Sequence, residues 1–195
     1  GGLGASPGVR RVSLAWQAPA ELIDGSPAPG ELRYLVLRGA GAEGALAPIT
    51  PQPVTGTSYT DEGVENDSDY RYALRAVRVE PAVTATGPTS AAVTAAPADT
   101  TPPAAPAALL AVPSAGAVRL AWNPSASPDV AAYAVYRAGE TGEFMRIATV
   151  LVVNTVYLDR DVRAGATYRY AVTALDRARR PNESAQSNVV SARVP

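Results

Sequence analysis

The stretch that decides the fold is Tyr157-Leu158-Asp159, followed by Val162 and by Tyr168-Arg169-Tyr170-Ala171. Nearly the same residues stand 98 positions earlier, as Tyr59-Thr60-Asp61, Val64 and Tyr70-Arg71-Tyr72-Ala73. In the second part of each copy, aromatic and apolar residues alternate with polar or small ones, which is the period of a half-buried β-strand. The chain therefore contains an internal repeat built from strands.

Two further blocks extend this repeat. Val12-Ser13-Leu14-Ala15-Trp16 recurs as Val118-Arg119-Leu120-Ala121-Trp122, and Tyr34-Leu35-Val36-Leu37-Arg38 recurs as Tyr133-Ala134-Val135-Tyr136-Arg137. No stretch carries the apolar stripe of an amphipathic helix. We predict an all-β protein of two β-sandwiches in tandem, with a first domain at 1–97, a Pro-rich linker at 98–106 and a second domain at 107–195.

The composition excludes several kinds of chemistry. The 195 residues include no Cys and no His, and all 17 bases are Arg. Disulfides, Cys/His metal sites, thiol nucleophiles and Schiff-base lysines are therefore excluded. The net charge of −1 gives no basic excess for nucleic acid, and four prolines within 100–118 rule out a transmembrane helix there.

The repeated residues resemble tandem fibronectin type III domains over essentially the whole chain. The resemblance is carried by Trp16 and Trp122, by the Tyr-x-Val pairs at Tyr34 and Tyr133, and by an apolar residue six positions before Tyr70 and Tyr168. It implies two immunoglobulin-like (fibronectin type III) sandwiches. The junction Asp99-Thr100-Thr101-Pro102-Pro103 resembles that of bacterial, extracytoplasmic members.

We expect six aromatic residues to form the structural core of the two domains: Trp16, Tyr34, Tyr70, Trp122, Tyr133 and Tyr168. The resemblance implies that Tyr70 and Tyr168 form a tyrosine corner, in which the hydroxyl bonds to an upstream backbone group. Replacing either Tyr by Phe should therefore destabilise its own domain by about 1 to 2 kcal/mol, through loss of a buried hydrogen bond.

Two loops carry candidate interaction residues. Five carboxylates in the first repeat offer oxygen ligands for Ca²⁺, although their spacing matches no EF-hand and a solvated loop is the simpler interpretation: Asp61, Glu62, Glu65, Asp67 and Asp69. In the second repeat Arg177, Arg179 and Arg180 could dock carboxylates or phosphates. Alternatively they could be ordinary solvated residues with a pairing to Asp176 or Glu183.

One face of the third strand of each repeat is a candidate contact surface. Tyr136 lies on the phase opposite to Tyr133 and Val135, and Leu35 and Leu37 hold the same phase in the first repeat. We therefore expect these side chains to face away from the core, where a covering segment or the other domain could still hide them.

These features favour a non-catalytic protein-interaction or spacer module, as an envelope-anchored or accessory structural subunit of a larger assembly. We assign no catalytic residue and no cofactor, and we expect a protein partner; carbohydrate is a possible ligand without support in the sequence. The resemblance implies an exported bacterial protein of the periplasm, outer membrane or cell surface, with a lipid anchor upstream as one option. The alternatives are a spacer of a secreted polysaccharide-degrading enzyme and a surface adhesin.

Overall fold

The computed structural model describes residues 2–21, 25, 27–28, 32–79 and 84–195. The chain divides into two compact units, Gly1–Asp99 and Thr100–Pro195. None of the described residues forms a helix long and apolar enough to cross a membrane.

The first unit contains two antiparallel sheets in its described residues. One has the order β1-β2-β6, and the other has the order β4-β3-β7-β8, with β5 paired to β3 and β9 paired to β7. The strands are β1 (Gly4–Gly8), β2 (Arg11–Ala15), β3 (Arg33–Ala40), β4 (Ala47–Pro48), β5 (Val54–Thr55), β6 (Ser58–Asp61), β7 (Tyr70–Val79), β8 (Thr84–Thr89) and β9 (Val93–Ala95).

The second unit repeats this arrangement in a more regular form. Its sheets have the orders β10-β11-β14 and β13-β12-β15-β16. The strands are β10 (Ala107–Ser114), β11 (Ala117–Asn123), β12 (Val130–Gly139), β13 (Met145–Leu151), β14 (Val156–Asp159), β15 (Thr167–Asp176) and β16 (Val190–Arg193).

Each core forms from the alternation seen in the sequence. In β2, Val12 and Leu14 are buried while Arg11, Ser13 and Ala15 are exposed, because successive side chains of a strand point to opposite faces. The inner faces of the two sheets supply one buried cluster to each unit. Trp16 packs edge-on against Tyr34 with ring centroids 5.2 Å apart, and Trp122 packs in the same way against Tyr133 at 5.6 Å.

Four of the six expected core aromatics, Trp16, Tyr34, Trp122 and Tyr133, are buried. The prediction that Tyr70 and Tyr168 lie within the core needs correction, since both are half-buried and pack against its edge. Tyr70 is the first residue of β7 and Tyr168 the second of β15, so both sit where the sandwich opens to solvent. The fully buried tyrosines of these strands are Tyr72 and Tyr170.

Residues 98–106 contain no strand. The boundary between the units falls after Asp99. Ala104 is bound to the second unit by two hydrogen bonds: its N–H donates to Ser127 Oγ at 2.9 Å, and its carbonyl accepts from Ser125 Oγ at 2.6 Å. The later part of this segment is thus attached to the second sandwich.

Candidate functional site

A buried Arg-Asp-Tyr cluster links the two sheets of the second unit. Asp159 is 2% exposed, and its Oδ2 accepts hydrogen bonds from the Tyr170 hydroxyl at 2.9 Å and from Arg137 at 3.0 Å. Its Oδ1 accepts from the N–H of Asp161 at 3.0 Å. Arg137 also binds the carbonyl and the carboxylate of Asp161 and packs over the ring of Tyr168. The carboxylate is therefore fully engaged within the domain.

The first unit contains the same cluster. Asp61 is 4% exposed and accepts from the Tyr72 hydroxyl at 2.8 Å, from Arg38 at 2.8 Å and from the N–H of Gly63 at 2.9 Å. Arg38 packs over the ring of Tyr70. Asp61 was expected in a solvated loop, and this expectation is wrong: Asp61 ends β6, where alternation turns its side chain inward toward Tyr72.

Burial and the neighbouring carboxylate change the acidity of the two tyrosines. Burial raises the pKa of Tyr72 well above its ordinary value of 10.0, and the hydrogen bond to Asp61 raises it further. The pKa of Tyr170 is raised for the same two reasons, with Asp159 as the acceptor. Both hydroxyls are thus held as neutral donors.

The carboxylates of the acidic segment do not converge. Glu62, Glu65 and Asp69 are exposed, Asp67 is half-buried, and Asp61 is engaged by Arg38 and Tyr72. Among the residues that the structure describes, no three of these five carboxylates place their oxygens within 4.8 Å of one another.

The turn before each long strand is fixed by a tyrosine. The Tyr70 hydroxyl accepts from the N–H of Glu65 at 3.0 Å, and the Tyr168 hydroxyl accepts from the N–H of Arg163 at 3.2 Å. In both units the bonded N–H lies five residues upstream, which is the arrangement of a tyrosine corner joining the two sheets of a sandwich.

The chain is a tandem of two fibronectin type III folds. The turns of the two domains match in further detail. Asp67 and Gly165, which are 98 residues apart, both adopt positive φ angles, of 60° and 76°. Their N–H groups donate to Pro97 and Val194, so each turn is tied to the last segment of its own domain.

Comparisons with known proteins give several similarities. No family model matches the chain. It is 36% identical over 168 residues to Exoglucanase B of Cellulomonas fimi, which covers 81% of this chain and 13% of that protein. The chain thus spans about an eighth of the length of this curated relative.

Solved structures give two similarities that cover different shares of the chain. The two-domain fibronectin type III segment of chicken tenascin covers 99% of this chain and 98% of its own, at 16% identity and a TM-score of 0.46. A Fn3-like protein from Clostridium thermocellum is 29% identical and covers 49% of this chain and 96% of its own, at a TM-score of 0.40.

Tyr136 belongs to a polar cluster on the outer face of the second domain. Its hydroxyl donates to Glu183 Oε1 at 2.5 Å and accepts from Arg146 at 3.0 Å. Glu183 also accepts from Thr173 at 2.6 Å and from Arg146 at 2.6 Å. Tyr136 is therefore half-buried and its hydroxyl is fully hydrogen-bonded, because the segment after β15 folds back over this face.

The electrostatics of Glu183 follow from these partners. Burial alone would raise the pKa of Glu183, but the hydrogen bonds from Thr173 and Tyr136 and the charge of Arg146 outweigh burial and hold the pKa below its ordinary value of 4.5. The cluster thus keeps Glu183 ionised and attaches the loop after β15 to β13.

The loop after β15, which contains three arginines, is fixed by hydrogen bonds from its backbone to Asp176. Asp176 is 2% exposed and accepts hydrogen bonds from the N–H of Ala178 at 3.1 Å and from the N–H of Asn182 at 2.8 Å. Arg177, Arg179 and Arg180 are exposed. The loop therefore presents three cationic side chains at one end of the sandwich.

The predicted contact face of the first domain is wrong at Leu37, which is 1% exposed. Leu37 pairs with Pro48 on one side and with Ala73 on the other, so it occupies an interior position of its sheet. Leu35 is half-buried.

A cavity of about 630 Å³ opens in the first domain over Trp16, Tyr34 and Leu74. Its described lining holds one acid, Glu21, and one base, Arg78. The chain has no Cys, His or Lys to line it. The Ser90 hydroxyl accepts from the N–H of Leu74 at 3.0 Å and donates to the carbonyl of Ala91 at 2.9 Å, so it is engaged with the backbone.

The Arg-Asp-Tyr clusters were missed by sequence reasoning although their signal was present. Arg38, Asp61 and Tyr72 each stand inside a repeated block, and so do Arg137, Asp159 and Tyr170. A charged residue that recurs at the end of a repeated apolar strand predicts a buried partner, because an unpaired buried charge is costly.

Proposed function

We propose that this chain is a non-catalytic spacer segment of a larger, exported polysaccharide-degrading protein. The observation that carries the proposal is the 36% identity with Exoglucanase B, which extends over 81% of this chain but over only 13% of that protein. An alignment of this kind is expected when a tandem of accessory domains is shared and the catalytic part lies elsewhere.

The polar interior of the two domains supports a spacer role. Buried carboxylates in catalytic sites face a cleft and a substrate, whereas Asp61 and Asp159 face an arginine and a tyrosine of their own domain. These contacts stabilise the domain and leave no carboxylate oxygen for general acid or base chemistry.

An extracytoplasmic location belongs to the same proposal. Polymeric glucans do not cross membranes, so a protein that degrades them acts outside the cytoplasm. Because the chain has no Cys, its fold forms equally well in a reducing cytoplasm and in an oxidising extracytoplasmic space.

The experiment is a comparison of three forms of the encoded full-length protein. The first is intact, the second lacks residues 1–195, and the third carries a Gly/Ser linker of equal residue number in their place. Activity on a soluble oligosaccharide should be equal in all three, and activity on insoluble cellulose should fall in the second and third. Equal activity on insoluble cellulose in all three would contradict a spacer role, as would a coding sequence with no catalytic domain.

Binding of a protein partner is a second candidate function. The loop that Asp176 holds in place presents Arg177, Arg179 and Arg180 together, which suits a carboxylate-rich protein surface. This candidate would fit an envelope subunit or an adhesin. Cross-linking and mass spectrometry of the native protein test it, since a stoichiometric partner should be cross-linked close to this loop and should be lost when the three arginines are replaced by Gln.

A further inference from the structure

The outer strand β13 of the second domain has one open edge. It is the end strand of its sheet and pairs only with β12 in the part of the chain that the structure describes. The segment 147–153 contains no proline and no charged residue. Such an edge presents backbone donors and acceptors that another strand can use.

The hydrogen-bond pattern identifies the open backbone groups. The N–H of Val152 donates to the carbonyl of Ala131 at 3.0 Å, so Val152 faces the neighbouring strand. Because facing alternates along an antiparallel strand, the N–H and C=O of Thr149 and the N–H of Leu151 lie on the open side. The carbonyl of Leu151 accepts from Asn154 within the following turn.

The corresponding edge of the first domain is protected. Its outer strand consists of two short pieces, Ala47–Pro48 and Val54–Thr55, and prolines stand at 48, 51 and 53. Proline lacks an N–H and blocks pairing at a sheet edge. The two domains share one fold, so the open edge of the second domain is a feature of that domain alone.

We propose that β13 pairs antiparallel with β13 of a second copy of this chain, about a two-fold axis at Thr149. Each Thr149 would then donate its N–H to the carbonyl of Thr149 of the second copy, so the contact is self-complementary. The proposal goes beyond the spacer role and does not depend on it.

The side chains fit this register. An axis at Thr149 places Leu151 opposite Ile147 of the second copy; Leu151 is 68% exposed and Ile147 is half-buried. Arg146 lies beyond the bulge at Ile147, outside the paired stretch, and Glu183 of its own chain already neutralises it. The paired stretch 147–151 contains no charged residue, and the exposed Leu151 gains an apolar neighbour.

A single strand pair buries less surface than a standard protein interface, so the association is weak. We expect a dissociation constant on the order of 100 μM. The dimer therefore forms at high local concentration, as when several copies lie on one surface.

The experiment is sedimentation equilibrium of the full chain from about 10 μM to about 1 mM, a range that brackets the expected constant. The weight-average mass should rise from 20.0 kDa toward twice that value. Thr149→Pro and Leu151→Lys should remain monomeric. Leu110→Lys is the matched control, because Leu110 is 65% exposed, close to the 68% of Leu151, but lies on the other sheet.

Amide hydrogen exchange gives a second measurement that does not rely on variants. The amides of Thr149 and Leu151 should exchange about fourfold more slowly at the highest concentration than at the lowest, as mass action at the expected constant requires. A monomeric mass over the whole range, or association lost in Leu110→Lys and kept in Leu151→Lys, would overturn the proposal.

Discussion

The hydroxyl of Tyr170 donates a 2.9 Å hydrogen bond to Asp159, a residue that is only 2% exposed. Arg137 on β12, the strand next to that of Tyr170, binds the same carboxylate, so one buried charge joins β14 of one sheet to β12 and β15 of the other. Tyr72, Asp61 and Arg38 repeat this relationship in the first domain. The cluster thus takes part in closing each sandwich.

Removing the buried carboxylate should destabilise the second domain. In Asp159→Ala the Tyr170 hydroxyl loses its acceptor and Arg137 loses one of its two carboxylates, and we expect the free energy of unfolding to fall by about 2 to 4 kcal/mol. Urea denaturation followed by Trp122 fluorescence measures the change. Asp161→Ala is the control: its carboxylate is 95% exposed, so its loss should cost less than about 1 kcal/mol although it also pairs with Arg137. Equal effects of the two changes would contradict a special role for Asp159.

The two tyrosines at the start of β7 should differ in their contribution to stability. Tyr72→Phe leaves the buried Asp61 with one donor fewer and should cost about 1 to 2 kcal/mol. Tyr70→Phe removes a bond that lies at the surface, and should cost about 0.5 kcal/mol, less than the sequence alone suggests. Thermal unfolding of both variants gives the order, and a larger loss in Tyr70→Phe would show that the corner outweighs the cluster.

Acid should weaken the second domain through Glu183. Its pKa is lowered in the folded state, so its contribution is present above about pH 4.5 and is lost as the pH falls through the folded value. Glu183→Gln should therefore be less stable than the wild type at pH 7, and the difference should shrink toward pH 3. Urea denaturation at a series of pH values tests this, with the exposed Glu140→Gln as the control. A difference that does not change with pH would exclude titration of Glu183 as the cause.

Alkali should weaken both domains through their buried tyrosines. The folded pKa values of Tyr72 and Tyr170 lie above the ordinary 10.0, so the stability that they contribute is complete below pH 10 and declines as the pH rises above it. Tyr170→Phe should flatten this decline in the second domain. Absorbance of tyrosinate during the titration should show these two residues ionising only when the domains unfold.

The fold was largely readable from the sequence because the repeat fixes it. Two copies of the same alternating blocks place Trp16 and Trp122 in cores that the structure confirms to be β-sandwiches. Alternation gives the face of a side chain but not its depth along the strand. For this reason Tyr70 and Tyr168 were expected deeper than they lie, and Leu37 was expected on an open face.

The candidate sites were less predictable because they depend on contacts between distant residues. Glu183 and Arg146 stand 37 residues apart in sequence and meet only because the loop after β15 folds back over the sheet. In the sequence, the acidic segment that begins at Asp61 reads the same whether Asp61 is solvated or buried. The position of Asp61 at the end of a strand decides between the two, and it is visible only when the strand ends are known.

The hydrogen bonds from Asp67 to Pro97 and from Gly165 to Val194 have a mechanical consequence. Each holds the polypeptide close to the point where it leaves its domain, so tension along the chain reaches the turn before it reaches the sheets. The load then passes through a turn that a tyrosine ring also anchors. Under tension, the chain would therefore resist pulling first at these two hydrogen bonds, one in each domain.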